Sequence, residues 1–160
     1  MFNEKDKEYM QMALSLAKEA ADEGEVPVGA VIVRNGRVIG KGRNRREKIK
    51  NALAHAELEA INEACGRIGG WRLPECTVYV TLEPCPMCAG GIINSRIGRT
   101  VIALADAKSG CLGSVINFNS YPFNHKVKTE YGLCENEARE LMTEFFTKLR
   151  NKRNDKKEKQ

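Results

Sequence analysis

The stretch Thr77-Val78-Tyr79-Val80-Thr81-Leu82-Glu83-Pro84-Cys85-Pro86-Met87-Cys88 (77–88) changes character halfway along. Its first part, Thr77–Leu82, is built of Val, Tyr and Thr, which suit a pleated, buried surface, so it predicts a central strand. Two prolines follow, and residues compatible with a helix continue to Asn94. Proline is favoured at a helix start, where its missing N–H costs nothing. A buried strand feeding straight into a helix is the mark of a layered α/β unit.

Upstream, Asn35-Gly36 is a strong two-residue hairpin signal between an apolar run, Val28–Arg34, and a returning strand, Arg37–Gly42. Glu4 to about Asp22 is helical in period, with Met10, Leu14, Ala17 and Ala21 on one stripe and Asn3 as its N-cap. Leu53–Cys65 is predicted as a helix with Leu58 and Ile61 toward the core. Gly66–Glu75 is read as a loop. Downstream, Arg99–Ala105 is a further buried strand, 107–127 is irregular, Val127–Tyr131 is a short last strand, and Glu135 to about Arg150 is an amphipathic helix. The expected fold is a three-layer α/β/α sandwich with a mixed central sheet. Residues 1–150 would form one domain, and the polar, charged 151–160 a disordered basic tail.

A chain of 160 residues can bury a core without disulfides. Its apolar runs are too short to span a membrane, and the N-terminus has no long apolar signal segment, so a cytoplasmic location is expected. That setting makes metal binding or burial the better reading of the six cysteines, of which only Cys85 and Cys88 have ligand spacing. The net charge of +5 is unevenly spread. Residues 41–50 alone are net +5, as are residues 148–160, so all the rest sums to −5. Two concentrated basic segments suit an anionic partner such as nucleic acid, although lysine-rich loops and tails also serve solubility.

The chemistry lies in His55-Ala56-Glu57 and Pro84-Cys85-Pro86-Met87-Cys88, both at predicted helix starts. One imidazole and two thiolates are ligand types that zinc prefers, and a structural site would need a fourth. The remaining histidine, His125, stands in a different context. Three ligands leave a position for water, whose pKa zinc lowers to about 7. Glu57, in the first turn beside His55, is placed to move protons without binding the metal. C-x-x-C alone often marks structural zinc or a redox pair, and H-x-E alone arises by chance. Together, in this order, they form the known H-x-E…P-C-x-x-C signature of zinc deaminases.

Beyond that signature, the chain resembles the bacterial tRNA-specific adenosine deaminases over about residues 5–150. The resemblance rests on Glu25–Val31, Ala54–Glu57, Tyr79–Gly90, Asp106-Ala107-Lys108-Ser109-Gly110, Gly113-Ser114, Asn124-His125 and Phe145-Phe146. The sequence departs from some relatives around Asn117–Phe123. The resemblance implies a cytidine deaminase-like fold, one Zn²⁺ per subunit, a homodimer, and conversion of adenosine to inosine at the wobble position of an arginine tRNA anticodon. It implies that His55, Cys85 and Cys88 hold the metal and that Glu57 shuttles protons. Asn44 would hydrogen-bond the base and Val28 pack on its ring. Backbone groups of Ala56, Leu82, Glu83 and Pro84 would meet its polar edge. Asp106, Lys108 and Arg150 would meet the anticodon stem-loop. Each has a plainer alternative: Asn44 or Asp106 in a turn, Val28 in the core. The rival functions are a deaminase of free guanine or cytosine, and a non-catalytic zinc scaffold in an RNA-modifying complex.

Overall fold

Asn35 (φ 50°) and Gly36 (φ 71°) both adopt the left-handed backbone that a tight hairpin demands. They join β1 (Gly29–Arg34) to β2 (Arg37–Arg43). In the computed structural model, which describes residues 1–160, the other elements are α1 (Glu4–Asp22), α2 (Ala56–Ile68), β3 (Cys76–Leu82), α3 (Pro86–Asn94), β4 (Arg99–Leu104), β5 (Lys128–Tyr131) and α4 (Glu135–Glu158). The sheet order is β2-β1-β3-β4-β5. β1 is antiparallel to both neighbours, and β3, β4 and β5 run parallel, so the sheet is mixed as expected.

Alternation along the strands divides the core in two. Ala30, Ile32, Val78, Val80 and Ile102 face one side, where they pack with Ala56, Ala60 and Ala64 of α2 and Ala89 and Ile92 of α3. Val31, Val33, Tyr79, Val101 and Ala103 face the other side, under Met10, Ala13 and Leu14 of α1 and Ala138 of α4. This is the predicted three-layer α/β/α sandwich. No helix is long and apolar enough to cross a membrane.

Several expected details differ. On α1 the buried stripe is completed by Ala13 and Ala20, while Ala21 is half-buried. Helix α2 begins at Ala56, because Asn51–Ala54 forms a turn closed by Ala54 N–H donating to Asn51 O (3.1 Å). It ends at Gly69, whose left-handed conformation (φ 75°) makes a C-cap. Its buried face is alanine, and Leu58 and Ile61 are half-buried at its flank. The cause is proximity: a Cβ on Gly42 would lie 2.0 Å from Ala56 O, and one on Gly40 would lie 2.2 Å from Ala60 O. The helix backbone rides directly on β2. The 107–127 segment contains a 3-10 turn, Phe118–Ser120. Finally, α4 runs to Glu158, so the tail expected to be disordered from 151 is helical. No Gly or Pro interrupts it, and Lys156 and Lys157 suit the negative end of the helix dipole.

One buried polar network ties α1 to the sheet. The Asp6 carboxylate, 3% exposed, accepts from Tyr79 Oη (2.7 Å), from Arg99 (2.7 and 3.3 Å) and from Asn3 N (3.0 Å). Burial alone would raise its pKa, but the donors from Arg99, Asn3 and Tyr79 outweigh that and hold it at about 2. A depressed carboxyl pKa stabilises the fold above the unfolded value, and that stability is lost as pH falls through the folded one.

Two outcomes are expected. Gly42→Ala, which drives a methyl into the backbone of α2, should cost about 3 kcal/mol in urea unfolding. The stability advantage of the wild type over Asp6→Asn should shrink by about 2 kcal/mol between pH 5 and pH 2, read from the same unfolding curves.

Candidate active site

Two helices begin at the same edge of the sheet. His55 is the N-cap of α2 (φ −90°, ψ 150°) and Cys85 the N-cap of α3 (φ −69°, ψ 175°). N-cap side chains ordinarily accept from the exposed amides of their own first turn. Neither of these does. They turn to each other instead: His55 Nδ1 lies 3.7 Å from Cys85 Sγ and 3.5 Å from Cys88 Sγ. Pro86 at the start of α3 needs no partner for its nitrogen and brings Cys88 round within the first turn.

The donor atoms of His55, Cys85 and Cys88 lie within 4.8 Å of one another and could hold a metal ion. Zn–S of about 2.3 Å and Zn–N of about 2.1 Å at a tetrahedral angle would place nitrogen about 3.6 Å from each sulfur. The observed 3.7 and 3.5 Å fit that requirement.

The electrostatics agree with the geometry. Hydrogen bonding from the Cys88 thiol and from His55 outweighs burial and holds the Cys85 thiol at about 4. The same hydrogen bond, together with burial and the nearby Glu57, pushes Cys88 up. The Cys85 partner in turn raises His55. The cluster therefore keeps one thiolate by itself, and a dication would complete the second ionisation. Glu57, 4% exposed, sits in the first turn of α2. Burial pushes its carboxyl up to about 6, a value suited to proton transfer near neutral pH.

Over this cluster opens a cleft of about 490 Å³, within the size range of small-molecule sites. His55, Ala56, Glu57 and Cys85 form its floor with Leu82 and Glu83. Val26, Val28, Asn44 and Arg46 make one wall, residues 104–109 another, and Met142 and Phe146 of α4 a third. The structure thus gathers every predicted site residue except three. Cys88 is wholly buried beneath the floor. Pro84 lies outside the lining, with its carbonyl accepting from Cys111 N (3.0 Å). Arg150 is exposed on α4, one turn beyond Phe146, and donates to Thr147 Oγ1 (3.4 Å). Asp106 also takes the plainer role noted for it, accepting from Lys108 N (3.0 Å) and Ser109 Oγ (2.7 Å) in a tight turn.

Arg46, Met142 and Phe146 line the cleft but are not among the predicted site residues, although Phe146 belongs to a stretch that carries the resemblance and Arg46 to the basic 41–50 segment. Phe146 follows Met142 by four residues, so the two share one face of α4. The basic 41–50 segment is also less free than its composition suggests. Arg43 and Lys48 pair with Glu23 (3.0 Å each), and Arg45 with Glu59 (2.8 Å).

Residues 4–150 match the MafB19-like deaminase family. The tRNA-specific adenosine deaminase of Bacillus subtilis (strain 168) is 44% identical over 149 residues, covering 92% of each chain. That of Aquifex aeolicus (strain VF5) is 49% identical over 147 residues, covering 91% of this chain and 97% of its own. The chain belongs to the tRNA-specific adenosine deaminase family. A solved structure from a study of A-to-I editing by tRNA:A34 deaminases at the tRNA wobble position superposes with a TM-score of 0.82 at 41% identity, covering 84% of this chain and 98% of its own. Guanine deaminase from Bacillus subtilis superposes less well, with a TM-score of 0.61 at 28% identity over 77% of this chain and 88% of its own. This member of the family is therefore a deaminase with a cytidine deaminase-like fold, as the sequence motifs predicted.

Cys88 tests the site most sharply among the three candidate ligands, because its side chain is closed off from solvent. Cys88→Ser is expected to lower bound zinc from about one per chain to less than about a tenth of that, measured by elemental analysis after dialysis.

Proposed function

We propose that this chain deaminates the wobble adenosine of a tRNA anticodon, the arginine tRNA in particular, to inosine, with one Zn²⁺ held by His55, Cys85 and Cys88. The observation that carries the reading is a three-donor cluster with a buried carboxyl beside it, at the floor of an open cleft. A structural zinc would need a fourth protein ligand, and a scaffold would have no use for Glu57. The names of the relatives supply the substrate class.

A bound zinc would supply a water acidic enough to yield hydroxide near neutral pH. Glu57 does the proton work. It takes one proton from the attacking water and delivers it to the ring nitrogen N1. It then takes the proton of the new C6 hydroxyl and delivers it to the amino group, so that the C6–N bond breaks, oxygen replaces nitrogen at C6 and ammonia leaves. Its burial keeps that proton from exchanging freely with solvent.

The other residues hold the base. Val28, 9% exposed, offers an apolar face to the ring. Asn44 Nδ2 donates to Val26 O (3.3 Å) and its Oδ1 accepts from Arg46 N (3.1 Å). Each end keeps one further hydrogen-bonding capacity for the base, from an orientation already set. Ala56, Leu82 and Glu83 border the same space, and their backbone groups would meet the polar edge of the base. Arg46 and Lys108 at the cleft, with Arg150 further along α4, would meet phosphates of the anticodon stem-loop. The resemblance also supports a homodimer acting in the cytoplasm.

The rival substrate is a free base, since guanine deaminase shares the fold. The test is inosine formation, read by sequencing, on an anticodon stem-loop with a wobble adenosine, run beside free guanine and free cytosine. The stem-loop is expected to react. Turnover of a free base with the RNA untouched overturns the reading. Glu57→Gln should retain its zinc while kcat falls by about 10²–10⁴-fold, and unchanged kcat would remove Glu57 from the mechanism.

A further inference from the structure

The residue before Pro84-Cys85 carries a carboxylate that the mechanism does not use. Glu83 is 2% exposed. Four hydrogen bonds reach its carboxylate from one segment, 106–114, and the Tyr131 hydroxyl lies close beside it. Oε1 accepts from Asp106 N (3.2 Å) and from the Ser114 hydroxyl. Oε2 accepts from Leu112 N (3.2 Å) and Ser114 N (3.1 Å). A carboxylate has about four lone-pair sites, and four donors fill them. Nothing remains to accept from a substrate, although Glu83 borders the cleft.

Gly110, in the same segment, lies directly on this group. A Cβ there would be 2.3 Å from Glu83 Cδ and Oε2. Next to Glu83, the Pro84 carbonyl accepts from Cys111 N (3.0 Å). The segment between β4 and the 3-10 turn has no helix or strand of its own. It is held by this carboxylate, by that one carbonyl, by Tyr131 Oη donating to Leu112 O (2.6 Å), and by Cys111 and Leu112, which are buried in the core. Its start, residues 105–109, is a wall of the cleft. The peptide that bears Glu83 leads directly into Cys85.

We propose that Glu83 is a positioning residue. Its carboxylate fixes the Asp106–Ser109 wall relative to the metal-binding segment, and so sets how tightly the nucleotide is held rather than how fast it reacts. The proposal rests on the adenosine reading of the cleft.

Glu83→Gln keeps the shape but turns an NH₂ group toward N–H donors. With the stem-loop substrate, KM is expected to rise about tenfold or more while kcat stays within about threefold. Zinc content should remain that of the wild type. The Asp106, Leu112 and Ser114 amides should lose protection in hydrogen exchange while those of β3 and α2 keep it. Unchanged KM, or loss of zinc with a matching fall in kcat, overturns the proposal. Should Glu83→Gln fail to fold, Ser114→Ala removes one donor and leaves the others. It should raise KM by about two- to fivefold, and an unchanged KM again overturns the proposal. If the wild type leaves the stem-loop unreacted, the adenosine reading fails. The exchange measurement still decides whether Glu83 holds the loop.

Discussion

Helix α2 lies so close to strand β2 that a single methyl group on Gly42 would sit 2.0 Å from the Ala56 carbonyl. Gly29 makes the same allowance for α1, where a Cβ would be 2.0 Å from Ala13 O. These approaches leave no room for side chains larger than alanine on the face of α2 that meets β2, and Ala56, Ala60 and Ala64 occupy it. A helix seated on backbone rather than on long side chains has little freedom to slide. The position of its first turn, and with it His55 and Glu57, is therefore set by the sheet. Helix α3 reaches the same edge by following directly from β3. The His55, Cys85 and Cys88 cluster is where these two constraints meet.

The meeting has electrostatic consequences. Two helix starts bring unpaired amides and the positive ends of two dipoles to one place, which favours anionic ligands there. His55 and Cys85 occupy N-cap positions without capping, so their side chains remain available for a metal. Glu57 sits in the same turn but is driven the other way by burial, toward the protonated form. Groups that meet from two helix starts thus acquire opposite tendencies: Cys85 toward the thiolate that suits a cation, and Glu57 toward a carboxyl that can both accept and release a proton.

Much of this was legible in the sequence because it is local. Cys85 and Cys88 share one turn, His55 and Glu57 share another, and the Asn35-Gly36 turn dictates its own hairpin. The layer order followed from strand and helix periods. What stayed hidden depends on chain segments distant from each other. Met142 and Phe146 reach the cleft only because α4 packs beside α1 across the sheet. Arg43, Arg45 and Lys48 look like free cations until Glu23 on the end of α1 and Glu59 on α2 are brought beside them. Glu83 reads as part of a motif, yet its role emerges only when residues 106–114 fold over it. Leu53 and Ala54 are good helix formers, and only the Asn51 turn keeps them out of α2. The charge of the tail predicts disorder, whereas α4 continues through it, uninterrupted by Gly or Pro, to Glu158.

Zinc-edge X-ray absorption on the purified protein addresses the open, three-ligand site most directly. One nitrogen at about 2.0–2.1 Å, two sulfurs at about 2.3 Å and one further oxygen at about 2.0 Å are predicted. A shell closed by a third sulfur or a second imidazole, or protein purified without zinc that cannot be loaded with it, would contradict the account.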